Sequence, residues 1–361
     1  MKSKKKKTSG GIIAGRVVLV ALTTIVAILL ALVVIIGTIV KGPSIAARDT
    51  FVTTVLESGN LKFLAHVFLS SDEINEIVEK TSMGQMDTDI DQGLINTDTE
   101  VEGDFDENGV EIVTINGSNY YATMLIVKDP SKVQVGTSYN SNNGYWGEYG
   151  ENIDDLVIHN GAIGGVNGGI YVADLNKGGS PYGVCVSRGL IEYNDPSGYP
   201  YYGMYMIGLD NSNILRIVSI EGWSPDQFSA YVYENGIRDA VAFQDEASDA
   251  NNHFVPLIIN GEARELNGAG SGANPRTVIG QREDGAILLL VTDGRGKSGH
   301  LGATASDLIS IMLKYGAVNA ANLDGGSSSC MYYNGKMLMD SVTLWATNSS
   351  WKLPTGFVIM K

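Results

Sequence analysis

The sequence predicts a mixed α/β protein of the α+β kind: a β-rich body built from hairpins, containing one parallel β-α-β unit and preceded by a single transmembrane helix. Three observations carry this prediction. Residues 17–40 are 24 consecutive uncharged positions dominated by Val, Ile, Leu and Ala. Beyond residue 108, Asn-Gly pairs at Asn116-Gly117, Asn235-Gly236, Asn260-Gly261 and Asn334-Gly335 punctuate strand-like runs. Between residues 286 and 323 an apolar strand pattern, an amphipathic helix pattern and a second strand pattern follow one another.

The apolar segment comes first. As a helix it spans ~36 Å, enough to cross a ~30 Å hydrocarbon layer with some tilt. Lys2, Lys4, Lys5, Lys6, Lys7 and Arg16 precede it, and only Lys41 and Arg48 follow closely. Basic residues stay on the cytoplasmic side of a spanning segment. The expected topology is therefore single-pass in the cell membrane, with a cytoplasmic basic tip (1–16), an anchor contacting membrane lipid (17–40) and everything beyond on the extracellular side. Ser44-Ile45-Ala46 also resembles a signal-peptide cleavage site, but 24 apolar positions exceed the usual ~7–15 residue apolar core of such peptides.

Residues 41–80 show helical spacing at Phe51, Val55, Leu61, Leu64, Ala65 and Phe68, with a capped helix beginning near Ser71. They are expected to form a short membrane-proximal stalk without chemistry of its own. Residues 81–107 lie in an acidic stretch, with 14 Asp and Glu and one Lys from Asp72 to Glu111, and are expected to be a solvated linker. No loop there has EF-hand ligand spacing. From residue 42 onward 18 basic side chains face 40 acidic ones. A body so negative repels phosphate backbones, which excludes general nucleic-acid binding.

Residues 108–361 are expected to be one β-rich domain. Asn-Gly supplies the two positive φ angles of a tight hairpin, so four hairpins are expected. Residues 154–159 suit a short helix. Residues 286–292 are apolar throughout, as in a strand buried on both faces, and end at Asp293-Gly294-Arg295. Thr304 and Asp307 have capping-box spacing ahead of Leu308, Ile311, Met312 and Tyr315, and the second strand stops at Asp324-Gly325-Gly326. A right-handed crossover then brings Asp293 and Asp324 to the same, carboxyl, end of neighbouring or near-neighbouring strands, where open sheets bind ligands. Two Cys, Cys185 and Cys330, build neither a disulfide framework nor a zinc site.

Several of these residues are suited to chemistry. Two carboxylates at one sheet edge are able to flank a scissile bond as acid and base or as nucleophile, and Asp-Gly is equally an ordinary turn former. Gly164-Gly165-Val166-Asn167-Gly168-Gly169 lets backbone approach a ligand, with Asn167 presenting an amide, or makes a tight turn between packed strands; it lacks nucleotide-binding spacing. Arg276 offers a planar fork for phosphate or carboxylate, or serves as a counter-ion to the Asp pair. His300, in the loop after Asp293, is a residue type suited to proton transfer, or is simply a solvated loop side chain. A divalent cation is compatible with two Asp at a sheet edge, but no ligand spacing demands one, and no cofactor is expected.

Asn322-Leu-Asp-Gly-Gly-Ser-Ser-Ser329, followed by Tyr-Asn-Gly-Lys336, resembles the Asn-Leu-Asp-Gly-Gly-Gly-Ser-Ser signature of the phosphodiester glycosidase family. In the same order, Asn167-Gly-Gly-Ile-Tyr171, Pro275-Arg-Thr-Val-Ile-Gly280 and Thr292-Asp-Gly-Arg295 resemble that family's Asn-Gly-Gly-Phe-Phe, Pro-Arg-Thr-Ala-Ile-Gly and Asp-Gly-Arg motifs. The resemblance covers roughly residues 110–361. It implies an extracytoplasmic catalytic domain hydrolysing a sugar-1-phosphodiester on a surface glycan, releasing the sugar and leaving a phosphomonoester. Asp324 and Asp293 would be the acid/base and stabilising pair, with His300 as a weaker candidate. Arg276 and Arg295 would form a local positive site for the phosphate. Asn167, Gly168 and Gly169 would orient the sugar, and Gly325 and Gly326 would complete the binding loop. Two positions depart from the pattern: Ser327 stands for the third glycine, and Lys352 for an Arg near the end. Lys does not reproduce a bidentate guanidinium contact, so a glycan-binding module without turnover is the alternative.

Overall fold

The computed structural model describes residues 10–57, 61–173, 177–196, 201–245, 253–343 and 349–361. The lysines of the basic tip lie outside the described residues. Three antiparallel sheets, with strands numbered along the chain, form the body. The first runs in spatial order β1 (Val110–Asn116), β2 (Tyr121–Val127), β13 (Ile287–Thr292), β12 (Thr277–Arg282), β14 (Ala317–Asn322), β10 (Pro256–Ile259) and β11 (Glu262–Ala263). The second is β16 (Lys336–Met339), β15 (Met331–Tyr333), β4 (Ala162–Asn167), β17 (Thr355–Met360) and β3 (Val133–Thr137). The third is β6 (Leu190–Asp195), β5 (Gly183–Ser187), β9 (Ile237–Gln244), β7 (Met204–Asp210) and β8 (Leu215–Ser219).

The sheets share one core. Leu125, Leu289 and Val291 of the first sheet, Val135, Val166 and Phe357 of the second, and Cys185, Ile207 and Val241 of the third pack into a single apolar cluster. Side chains alternate along a strand, so each sheet has a second face to cover. Helix α7 (Ala305–Lys314) covers that face of the first sheet, placing Leu308 and Met312 against Leu288 and Leu290. Beyond the one-turn α4 (Ser138–Ser141), helix α5 (Ile153–His159) covers the second, and α6 (Pro225–Glu234) covers the third through Phe228 and Val232. The uninterrupted apolar run in β13 follows from this: its odd positions face the shared core and its even positions face α7. Both α6 and α7 open with capping boxes, Ser224 with Gln227 and Thr304 with Asp307.

The strand–helix–strand unit is present as β13, α7 and β14. Its two strands run parallel because each pairs antiparallel with β12, which lies between them. The turn prediction needs one correction. Asn260-Gly261 and Asn334-Gly335 form two-residue hairpins with both φ angles positive (53° and 79°, 46° and 81°). Asn116-Gly117 also lies in a hairpin, but one whose pairing closes at Asn116 and Tyr121. Asn235-Gly236 makes no hairpin: it ends α6, with Gly236 at φ 60°. A positive-φ glycine terminates a helix as readily as it turns a hairpin, and the two uses look alike in sequence.

At the N-terminus, α1 (Gly10–Lys41) is long and apolar enough to cross a membrane, and its apolar side chains are exposed except near its C-terminal end. Helices α2 (Ile45–Leu56) and α3 (Ser71–Glu79) follow, gathering Val52, Val55, Ala65, Leu69, Ile74 and Ile77 with Val40 into a small core. Residues 81–107, expected as a solvated linker, instead lie along the body. Met83 bridges Leu266, the Asp91 N–H donates to Asn260, and Ile90, Ile95 and Val101 are buried in the body's cores. The acidic side chains between them are solvated, while widely spaced apolar residues do the docking.

Candidate active site

Strand β12 begins where β13 and β14 end. The Thr292 N–H donates to the Arg276 carbonyl and the Leu323 N–H to the Thr277 carbonyl. Pro275-Arg276-Thr277 thus lies between Asp293 and Asp324, whose backbones are two strand spacings apart, about 10 Å. Asp324 is half-buried. Its Oδ1 accepts from the Gly325 N–H at 2.9 Å, and the Asn167 amide donates to its carbonyl at 2.6 Å. Burial pushes the Asp324 carboxyl up to about 6, against the opposing pull of Ser328, the Gly325 N–H and the Arg295 charge. Ser328 also meets the Tyr171 hydroxyl at 3.1 Å, and burial together with the Asp324 charge pushes that phenol up.

Asp293 is buried, and its carboxylate is fully engaged. It accepts the Tyr121 N–H at 2.7 Å and lies 2.8 Å from His300 Nδ1. The buried carboxylate fixes the imidazole's tautomer and orientation, which leaves Nε2 for proton transfer. The same loop carries Arg295, which is exposed. Its Nε donates to Asn274 Oδ1 at 3.1 Å and its Nη1 to Ser327 Oγ at 2.8 Å. Gly326, at φ 63°, makes room for that guanidinium: a Cβ there would stand 2.5 Å from Arg295 Nη2. Ser327, the departure from the signature, therefore gives Arg295 an additional acceptor. Lys352, the second departure, holds its ammonium 5.0 Å from the Tyr149 ring centre.

Other expectations change. Asn167 is buried, and its amide is committed to the chain: besides donating to the Asp324 carbonyl, it accepts from Thr277 Oγ1 at 2.7 Å and from the Cys330 N–H. It ties the Asp324 loop to β12 rather than presenting an amide to a sugar. A Cβ on Gly168 would stand 2.5 Å from Thr355 Oγ1, and one on Gly169 2.2 Å from the Ala242 carbonyl. These glycines permit close chain packing, not ligand approach. Arg276 is 2% exposed and paired with Glu57, stacked over Phe254, so it is not displayed for a phosphate. Four residues at the site were given no role from sequence: Glu57, Tyr171, Asn274 and Ser328. Three of them lie inside or beside the motifs quoted above. Glu57 carries no local signal. Among the described residues, no three His, Cys, Asp or Glu side chains converge to hold a metal ion.

The model of the phosphodiester glycosidase family matches residues 160–360, more than half of the chain. The chain belongs to the phosphodiester glycosidase family. Membership supports a hydrolase of glycan phosphodiesters. The fold is also that of a solved structure, the catalytic domain of zebrafish N-acetylglucosamine-1-phosphodiester alpha-N-acetylglucosaminidase auto-inhibited by pro-peptide. That likeness has a TM-score of 0.50 at 18% identity and covers 70% of this chain and 82% of the zebrafish one. A putative exported protein from Burkholderia pseudomallei K96243 aligns with a TM-score of 0.41 at 16% identity, over 67% of this chain and 74% of that one. In sequence, the SPbeta prophage-derived uncharacterized protein YomE of Bacillus subtilis (strain 168) is 43% identical over 65 residues, 18% of this chain. That match spans 10% of the length of YomE.

Proposed function

We propose that this family member is a membrane-anchored extracytoplasmic hydrolase that cleaves the bond between an anomeric carbon and phosphate in a glycan phosphodiester. An N-acetylhexosamine linked through phosphate to a surface glycan is the substrate class. Water attacks the anomeric carbon, the carbon–oxygen bond to phosphate breaks with its electron pair leaving on oxygen, and the products are free sugar and a phosphomonoester. A phosphate leaving group needs little protonation, so the larger requirement is negative charge beside the developing oxocarbenium ion. Asp324 supplies that charge in its ionised form. Arg295 holds the phosphate, and His300, oriented by Asp293, takes the proton from water. Support for anchoring comes from the length and apolarity of α1 and from the lysines ahead of it.

The observation that carries this proposal is the arrangement around Asp324: a half-buried carboxyl with its titration moved to about 6, beside an exposed, doubly held arginine. Perturbed carboxyls of this kind cluster at functional sites. The test is reducing-sugar release from an N-acetylhexosamine-1-phosphodiester by the full chain in detergent micelles. Asp324→Asn is expected to lower turnover by about 10²–10⁴-fold, the usual loss on removing a charged catalytic group. Binding of the diester without sugar release by the wild type would instead make the chain a glycan-phosphate binding module.

A further inference from the structure

The helix next to the membrane segment reaches the site. The backbone of α2 lies directly on the 270–274 segment: a Cβ on Gly272 would stand 2.6 Å from the Thr53 carbonyl carbon and 2.8 Å from the Thr54 nitrogen. The Ala273 N–H donates to Thr54 Oγ1 at 3.2 Å. Glu57, which caps α2, is 3% exposed. Its carboxylate accepts the Gly272 N–H, Arg276 Nη2 and Asn274 Nδ2, the last at 2.6 Å. The other end of the Asn274 amide, Oδ1, accepts Arg295 Nε. An amide has a donor end and an acceptor end, so an anion on its nitrogen side directs its oxygen at the arginine.

We infer that Glu57 is a positioning residue for the anion site. Acting through Asn274, it orients Arg295, and by neutralising Arg276 it leaves Arg295 as the local positive charge at the mouth. The membrane-proximal segment thus completes the site rather than merely tethering it. The inference rests on Arg295 as the phosphate ligand. Glu57 lies beneath the loop, with the buried Arg276, and not at the mouth, where Arg295 meets Ser327.

The experiment uses the full chain in detergent micelles as wild type, Glu57→Gln and Glu57→Asp. It measures KM and kcat for the N-acetylhexosamine-1-phosphodiester, the dissociation constant of inorganic phosphate by calorimetry, and the melting temperature. Glu57→Gln is expected to raise KM and the phosphate dissociation constant about tenfold, the scale of one hydrogen bond to a charged group, with kcat changed less than about threefold. Glu57→Asp, which keeps the charge, is expected to recover part of the loss. Unchanged KM and phosphate affinity, with only a lowered melting temperature, would overturn the inference. So would faster turnover in either variant, which would make the carboxylate a plug. If Glu57→Gln does not fold, wild-type KM and phosphate affinity in Glu57→Asp count against the inference. A wild type whose phosphate affinity falls on Glu57→Gln but which releases no sugar would sink the hydrolytic proposal and leave the positioning role intact.

Discussion

Asp324 carries a cost that its replacement should reveal. Its carboxyl titrates at about 6 in the folded chain against an ordinary value of 3.8, with burial as the leading cause. The folded state therefore holds the proton to higher pH than the unfolded state does. The penalty is absent below about pH 3.8, grows between about 3.8 and 6, and is complete above 6. Asp324→Asn is thus expected to stabilise the protein at pH 7–8 by about 1–3 kcal/mol and to change little at pH 4, even as it removes turnover. Thermal melts of both proteins across pH 4–8 check this, and an equal or lower melting temperature for the variant at pH 8 would contradict it. The proposed role of Asp324 carries its own pH dependence: an ionised carboxylate at the sugar predicts turnover falling as pH drops through about 6, read from a pH–rate profile of sugar release. The placement of Asp293, Asp324 and Arg295 at one sheet edge was legible in sequence because each lies within three residues of a strand end and sits in a short motif. The roles of Asn167 and Arg276 were not, because their partners, Asp324 and Glu57, lie 157 and 219 residues away.

Elements whose rule is local were the easiest to read. The capping box of α7, the two-faced run of β13 and the tight turns at Asn260 and Asn334 each depend on residues within about ten positions. The strand inserted between β13 and β14 depends instead on a long-range pairing that no local pattern encodes. The glycines of β4 and its exit were legible as glycines and not as packing. Strand β17 runs against β4, and the chain leaving it passes so close to β9 that the Ile170 N–H donates to the Ala242 carbonyl at 2.8 Å. Gly169→Ala would drive a Cβ to 2.2 Å from that carbonyl oxygen, a backbone atom held in the third sheet. The substitution is expected to cost about 1–3 kcal/mol or more, as overpacking does. A denaturation midpoint within error of wild type would show that the two sheets separate there without strain.

At the scale of the whole molecule, the predicted sequence of tip, anchor, stalk, linker and domain treats the chain as beads on a string. The structure joins the last three. One core drawn from three sheets has no signature in any one strand, since alternation shows that a face is buried and not against what. The docked 81–107 segment was hidden by its own acidity. Its charges face water, while Ile90, Ile95 and Val101, spaced five and six residues apart, are each under 10% exposed. Fully burying each such side chain contributes about 1.5–3 kcal/mol before the entropy of ordering the segment is set against it. Losing the segment also uncovers the apolar surface beneath it. A soluble chain starting at residue 81 is therefore expected to melt at least about 5 °C above one starting at residue 108, the shift that ~2 kcal/mol produces in a domain of this size. The shorter chain should also bind a hydrophobic dye more strongly in its native state. Equal melting temperatures and equal dye binding would mean that the segment rests on the body without stabilising it. A lower melting temperature in the 108 chain with unchanged phosphate affinity would separate this structural contribution from that of Glu57, which both soluble chains lack.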